Sequence, residues 1–446
     1  MDILKIIIFL IGLMGVAACG FFPGTKEWVQ AVYRRPLIAC IIFTLYIALF
    51  LGSPRSNTEL VVNPLDSYRY ARIGLLGVLF IWSMLVVLFS NKRLKTGAGI
   101  FWTAVYACIA MISSVYSSNK MLTLFKGFEV FTTITVMLAL SKYLIEKQNI
   151  DDFFGINMVP LLFLSFTSLA GAVLLPGQAL SHTGTGGIFA LVLMGVAPLV
   201  NSNTLTQISG LVFVLLLNEF LQNKAINRRV STFIIMVLFL LIAILAHSRT
   251  SLLAIMVSIS FVLVRNGAVG FAAFIAWIAA IFALIGPLRE VIFSFVYRGQ
   301  KTALFYSLSG RTDFWPLAWS KVVQSPIFGH GFYAAQREIF GISSVDNTYL
   351  EVILGVGVIG LVFFVMGIYF LALSLFGLLR KKFKNRNNYK FYNFETQLGV
   401  VFISLIIRSI TGPSFQVFHI NLILFLALQI ILPSIYKMKR DLAAIS

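Results

Sequence analysis

The chain has 446 residues, of which 59% are hydrophobic and 11% charged, with 42 phenylalanines and a formal net charge of +19. Soluble chains average about 25% charged and under about 50% apolar residues, so a water-soluble globular fold is excluded and lipid is the solvent that fits. In a soluble protein this charge would point to nucleic acid. Here much of it sits in short clusters between apolar runs, as topology signals do, so no nucleic-acid partner is expected.

Apolar runs fall at about 3–22, 36–52, 71–89, 97–117, 121–145, 153–175, 186–200, 205–222, 230–247, 251–264, 268–288, 350–379, 396–412 and 415–436. Spanning takes roughly 20 residues each. The first run lacks a small-x-small cleavage site followed by a soluble domain, so it reads as an uncleaved span. Cys19, Cys40 and Cys108 lie in apolar runs with no CxxC, which points away from disulfide, zinc or haem. The runs 186–200 and 251–264 are weak. The first of these follows Thr183-Gly-Thr-Gly-Gly187 and reads as re-entrant or half-spanning.

Basic clusters set the orientation. Arg380 to Arg386, Lys437 to Arg440, Lys224 to Arg229, Lys26 with Arg34 and Arg35, and Lys92 with Arg93 and Lys95 are all expected inside. Together they require an odd number of spans, about thirteen within a range of about 12–14. The expected fold is an all-α integral membrane bundle. It divides into an N-terminal bundle (1–288), a large external loop with an amphipathic helix (289–349) and C-terminal helices (350–446). No internal repeat is present.

The external segments then carry Arg249, Arg289, Arg298, Lys301, Arg311, Lys321 and Arg337. Positive charge outside opposes the topology bias, and an anionic ligand at the outer face supplies the reason.

Four motifs stand in those segments. His247-Ser-Arg-Thr-Ser251 ends a strongly apolar helix. Its arginine can grip a phosphate with two hydrogen bonds, or simply snorkel to headgroups. Gly310-Arg-Thr-Asp-Phe-Trp315 opens a stretch, Thr312 to Val323, that places Trp315, Trp319 and Val322 on one helical face. That helix suits a lid lying on the membrane. Pro326-Ile-Phe-Gly-His-Gly-Phe332 follows, its glycines allowing a tight turn around His330. Asp346-Asn-Thr-Tyr-Leu350 precedes Gly357-Val-Ile-Gly360. Here Thr348 and Glu351 read as a capping box, with Asn347 and Asp346 as further caps. A carboxylate beside such a helix start is also a candidate general base. Ser181-His182-Thr-Gly-Thr-Gly-Gly187 is a weaker external loop without P-loop character.

In this order the motifs resemble the O-antigen ligase and Wzy-type polymerase superfamily over roughly 100–435. Ser-Val-Tyr-Ser within Ser113–Lys120 resembles the family's Ser-x-x-x-Ser turn. Ser248-Arg249, Gly310-Arg311 with Trp315, Pro326 to Gly331, and Asn347, Leu350, Gly357 and Gly360 match the rest. Ligases of the family place a proposed catalytic histidine where this chain has Asp346.

The resemblance implies a GT-C-like inverting glycosyltransferase of the bacterial inner membrane, multi-pass, with its site facing the periplasm. Its donor would be a glycan on undecaprenyl pyrophosphate and its acceptor another glycan, with a flippase and a chain-length regulator as partners. Arg249, Arg311 and Asp346 are the implied catalytic residues. Ser248, His330, Asn347, His182 and Arg298 are the implied substrate contacts. No Asp-x-Asp stands in an outer loop, so neither metal nor cofactor is expected.

The leading expectation is a polymerase of repeat units. The alternatives are a ligase acting on lipid A–core or another acceptor, and a transporter of lipid-linked sugars. A transporter would show pseudo-repeats and charges within spans. Lys126, Glu129 and Arg408 are such charges, without the repeat.

Overall fold

The computed structural model describes residues 3–51, 67–91, 96–144, 147–182, 191–223, 225–268, 270, 311–340, 345–380, 389–410, 412 and 414–445. The helices in chain order are α1 (Ile3–Cys19), α2 (Pro23–Arg34), α3 (Pro36–Phe50), α4 (Ser67–Phe89), α5 (Ala98–Ile112), α6 (Lys120–Ser141) and α7 (Lys147–Leu174). After them come α8 (Pro176–Ala179), α9 (Ser202–Gln222), α10 (Ile226–Ala246) and α11 (Arg249–Arg265). The last five are α12 (Arg311–Gln324), α13 (Ala334–Phe340), α14 (Thr348–Arg380), α15 (Tyr389–Ile410) and α16 (Ile420–Ile445). Among the described residues eight helices are long and apolar enough to cross a membrane, or nine if the bent pair α1 and α2 is one span. The chain is an all-α polytopic membrane protein. The expected span at 268–288 lies outside the described residues.

Residues 191–200, the described part of the run 186–200, are not helical. Strand β1 (Leu180–His182) pairs antiparallel with β2 (Leu191–Leu193), and β3 (Gly195–Val196) with β4 (Leu199–Val200). Apolarity alone does not tell a short strand from a helix segment, and β-branched valines favour the strand.

By contacts the chain forms two compact units. The first comprises Met1–Gln30, Met158–Gly310 and Asn385–Ile407. Here α1 meets α7 through glycines. A methyl group on Gly12 would lie 2.3 Å from Thr167 Cγ2, and one on Gly15 would lie 2.5 Å from the Phe166 ring. Small residues let two membrane helices approach this closely. Helix α9 is buried along nearly all its length and packs with α10 and α11. A serine pair, Ser165 Oγ and Ser209 Oγ, joins α7 to α9 at 2.9 Å.

The second unit comprises Ala31–Asn157, Arg311–Lys384 and Arg408–Ser446. Helices α4 and α5 pack on α6, and α5 packs on α14. Lys142 follows α6 and donates to the carbonyls of Val86, Val87 and Ser90 at 3.1, 2.8 and 2.9 Å. That cation satisfies the open carbonyls where α4 ends. Val78, Ile81, Leu85, Leu88 and Phe89 of α4 remain exposed, a stripe suited to acyl chains.

Helix α12 falls where the amphipathic helix was expected, but its face is rotated. Ala318 and Val322 are buried in a core with Ala335, Val345, Ile353 and Leu354, and Trp315 packs against it. Trp319 is 56% exposed, beside exposed Leu317 and Val323. The residue one position before Trp319 is small enough for close packing on α14, so the indole turns outward.

Candidate functional site

In the first unit the Ser-Arg motif sits at a break between two helices. His247 takes a left-handed conformation (φ 47°), ending α10, and Arg249 opens α11. The break is pinned to the start of α9. The Ser248 amide donates to Thr206 Oγ1 at 3.0 Å, and Ser251 Oγ donates to the Asn203 carbonyl at 3.0 Å. His247 and Ser248 are buried, and Arg249 is half-buried at the helix start. The local structure therefore fixes where the arginine leaves the backbone.

In the second unit the Pro-x-x-Gly-His-Gly turn docks into a break in α14. Gly357 holds φ 68°, outside helical geometry. A break there costs α14 its own ladder bonds, and the turn restores them. The amides of His330 and Gly331 donate to the Leu354 and Gly355 carbonyls at 2.9 and 2.8 Å. In return the amides of Val358 and Ile359 donate to the Pro326 and Ile327 carbonyls at 2.8 and 3.4 Å. Four backbone groups of the helix are thereby satisfied by the turn, as buried peptide groups require.

The Ser-Val-Tyr-Ser stretch clamps the same turn from its other side. Ser113 Oγ accepts from the Phe332 amide at 3.0 Å, and Tyr116 donates its hydroxyl to the Phe328 carbonyl at 2.5 Å. A methyl group on Gly331 would lie 2.3 Å from Ser117 Oγ. His330 Nε2 lies 2.9 Å from the Lys321 carbonyl. A carbonyl only accepts, so Nε2 carries the proton and Nδ1 is the acceptor nitrogen. A cleft of about 700 Å³ opens beside this ring, lined mostly by apolar groups including Ile112, Val115, Tyr116 and Phe328.

The start of α14 departs from the expected capping box. Asn347 is the cap, its Oδ1 accepting from the amides of Tyr349 and Leu350 at 3.0 Å each. Thr348 instead donates to the Gly412 carbonyl at 2.8 Å. Glu351 accepts from the Val345 amide at 2.7 Å and from Gln416 Nε2 at 2.6 Å. Thr348 lies past the cap, so its side chain turns inward to tertiary partners. Asp346 stands one position before the cap at φ 58°. Asp, Asn and His are the non-glycine residues enriched in that conformation. His419, three positions past Gln416, is half-buried, and desolvation together with the neighbouring Arg408 lowers its pKa to about 4.

Of the expected site residues, Ser248 and Arg249 belong to the first unit, and His330, Asp346 and Asn347 to the second. Arg298 lies outside the described residues. For Arg311 and His182 only the backbone is described, at the start of α12 and the end of β1.

The sequence reading missed one constellation, which lies entirely in the second unit. Arg69 and Arg72 of α4, Lys126 and Glu129 of α6, and Tyr333 and Arg337 around α13 form a buried cluster. Glu129 is fully buried, and the four cations are each 6–8% exposed. Lys126 Nζ donates to Glu129 Oε2 at 2.9 Å. Arg72 Nε stands 2.6 Å from Glu129 Oε1, an ion pair whose angle is not that of a hydrogen bond. Tyr333, at φ 61°, lies under both Lys126 and Arg337, each 4.8 Å from its ring centre. Its signal in sequence was two pairs at helical i,i+3 spacing, Arg69 with Arg72 and Lys126 with Glu129.

The all-α bundle of long apolar helices defines the class, a multi-pass membrane protein. Residues 234–365 match the model of a family described as O-Antigen ligase, which supports the superfamily that the motifs resemble. Those 132 positions enclose Ser248-Arg249, Gly310-Arg311, Pro326 to Gly331, Asp346-Asn347 and the Gly357 to Gly360 pair. No curated protein matches the chain.

Proposed function

We propose that the chain is a glycosyltransferase that joins undecaprenyl-pyrophosphate-linked oligosaccharide units into a surface polysaccharide. It works without metal at the periplasmic face of the bacterial inner membrane. The observation that carries this reading is the family match over 234–365, which contains the external motifs at 247–251, 310–332 and 346–360. An acceptor hydroxyl attacks the anomeric carbon, and the lipid pyrophosphate leaves with inversion. Arg249 and Arg311 neutralise the negative charge that develops on the leaving group, an effect that contributes several kcal/mol in such sites (about 3–4 for one donor). Asp346 receives the acceptor proton. His330, its Nε2–H held by the Lys321 carbonyl, presents Nδ1 to a sugar hydroxyl. A flippase supplies the substrate and a chain-length regulator limits the product.

The second reading is a ligase, which the description of the matched family favours. Both are tested by giving purified protein a lipid-linked oligosaccharide alone. A ladder of longer glycans supports the polymerase. Product formed only after a separate acceptor is added makes the chain a ligase. No transfer under either condition removes the glycosyltransferase reading.

A further inference from the structure

Within the second unit Asp346 stands between two anchored neighbours, and the anchors come from α12, α14 and the segment before α16. On its N-terminal side Val345 is buried, and side chains hold both of its backbone groups. The Val345 amide donates to Glu351 Oε1 at 2.7 Å, and the Val345 carbonyl accepts from Trp315 Nε1 at 3.1 Å. On its C-terminal side Asn347 caps α14, and the Asn347 carbonyl accepts from the Glu351 amide at 2.9 Å. Glu351 therefore bonds on both sides of Asp346, by side chain before it and by backbone after it. The carboxylate is itself fixed, since its Oε2 accepts from Gln416 Nε2 at 2.6 Å. Gln416 is turned that way because its Oε1 accepts from the Ser414 amide at 2.8 Å and from Thr348 Oγ1 at 3.2 Å. Both Glu351 and Gln416 are buried. Burying a carboxylate is costly, and hydrogen bonds to its oxygens and a place in the first turn of a helix offset that cost. A helix start needs no such arrangement, because Asn347 already supplies the cap.

We infer that Glu351 and Trp315 are positioning residues that hold the Asp346 carboxylate where it takes the acceptor proton. The inference rests on the base role given to Asp346 above. In that step the proton passes from the acceptor hydroxyl to the carboxylate as the oxygen bonds the anomeric carbon and the pyrophosphate leaves with the electron pair. Asp346 holds φ 58°, a conformation that persists where the surroundings over-determine it. With Val345 fixed before it and Asn347 after it, the direction in which its side chain leaves the backbone follows from those anchors. A base must lie within about 2.6–3.2 Å of the proton it takes, and a misplacement of about 1 Å can cost about 100-fold in rate. Trp315 reaches Val345 across 30 positions. The Gly-Arg motif ahead of the tryptophan and the Asp-Asn motif thus meet at one peptide, which gives that tryptophan a task beyond packing.

The test is a double-mutant cycle on the rate of transfer from a lipid-linked oligosaccharide by purified full-length protein. Its corners are wild type, Glu351→Gln, Asp346→Asn and the two changes together. Glu351→Gln keeps one acceptor but turns an amide donor toward Gln416 Nε2. Its kcat should fall about 10- to 100-fold with KM within about twofold of wild type. In the Asp346→Asn background the same change should cost less than about twofold, because no base is left to position. A residue that only stabilises the fold would cost the same factor in both backgrounds. Glu351→Gln combined with Gln416→Glu exchanges donor and acceptor along one hydrogen bond and should recover most of the rate. Trp315→Phe keeps a ring in the core and drops the bond to Val345, so its kcat should fall about tenfold with the same dependence on Asp346.

Equal rate losses in both Asp346 backgrounds, or full rate in Glu351→Gln and Trp315→Phe alike, overturn the positioning role while leaving Asp346 the base. Should Glu351→Gln not fold, Trp315→Phe taken through the same cycle decides. Full activity in Asp346→Asn removes the base itself, and the positioning role falls with it. Amide hydrogen exchange tests the clamp without reference to activity. The peptide covering 345–350 should exchange faster in Glu351→Gln than in wild type, and unchanged exchange overturns the clamp. A wild type that transfers no sugar removes the glycosyltransferase reading, and the clamp then stands or falls on that exchange.

Discussion

Gly357 and Ile327 approach so closely that a methyl group on Gly357 would lie 2.0 Å from the Ile327 carbonyl oxygen. The obstacle is backbone already engaged in the exchange between the turn and α14, so it cannot swing aside. Gly357→Ala also meets φ 68°, where alanine is strained. Its melting temperature should fall by the equivalent of at least about 2–3 kcal/mol, from strain and lost hydrogen bonds together. Gly74→Ala, with nothing within 4 Å of the added carbon, should be neutral or stabilise by up to about 1 kcal/mol. Equal melting of Gly357→Ala and wild type would mean the turn does not dock in this way.

The orientation derived from basic clusters puts α12 outside. Gln324 is exposed at the end of that helix. Gln324→Cys, in a background lacking Cys19, Cys40 and Cys108, should react with a membrane-impermeant thiol reagent in intact spheroplasts. Labelling that appears only after lysis reverses the topology.

Arg249 leaves the backbone at the start of α11, from a break fixed by Ser248 and Ser251. Arg249→Lys keeps the charge and loses the planar fork. Glycan product should drop about 10- to 100-fold with Lys and further with Ala, consistent with about 1.5–3 kcal/mol per charged hydrogen bond. Membrane levels of the protein should hold. Normal product from Arg249→Ala would remove the arginine from the site.

His419 gives the fold a pH signature. Its pKa is lowered to about 4 in the folded protein by desolvation and then by Arg408, against about 6.5 unfolded. The unfolded chain therefore binds the extra proton between those values. Stability from keeping His419 neutral is present above about pH 6.5 and is lost as pH falls toward about 4. Thermal melts of wild type should decline through that window. His419→Asn should flatten the decline, and an unchanged slope would show that other groups govern it.

Much of this was legible in the sequence because the membrane limits the choices. Apolar runs with basic clusters gave helices and their order, and glycine with proline marked the turn at Pro326 to Gly331. What the residues could not reveal was pairing at a distance. The glycines at 329 and 331 read as a tight turn around His330, while the turn's role is a backbone exchange with a segment 24 to 32 positions further on. Asn347 and Thr348 are both good caps by propensity, and only the position of Gly412 and Gln416 decides which one turns inward. Arg69 and Arg72 stand at the start of α4 and belong to none of the motifs read from the sequence. Their meaning depends on Lys126 and Arg337, which lie far off in the chain.

Asp346 separates backbone from chemistry. Its φ of 58° suits Asp, Asn, His and Gly, and the capping bonds belong to Asn347. Asp346→Asn, Asp346→His and Asp346→Gly should therefore be free of left-handed strain. Asp346→Ala should lose about 1–2 kcal/mol through left-handed strain alone. If the carboxylate takes the acceptor proton, the first and third of these fold normally and lose about 100- to 10,000-fold in rate. Histidine, the residue that the resembling ligases carry at this place, has a basic nitrogen in a backbone conformation it tolerates. Asp346→His should then retain more activity than Asp346→Asn, with a pH–rate profile shifted upward toward the imidazole range near 6.5. The measurement is product formation on a lipid-linked substrate across pH, set beside melting curves for the same four variants. Full activity in Asp346→Gly at unchanged stability would leave this residue a turn former, and the proton would have to pass to His330 or directly to water.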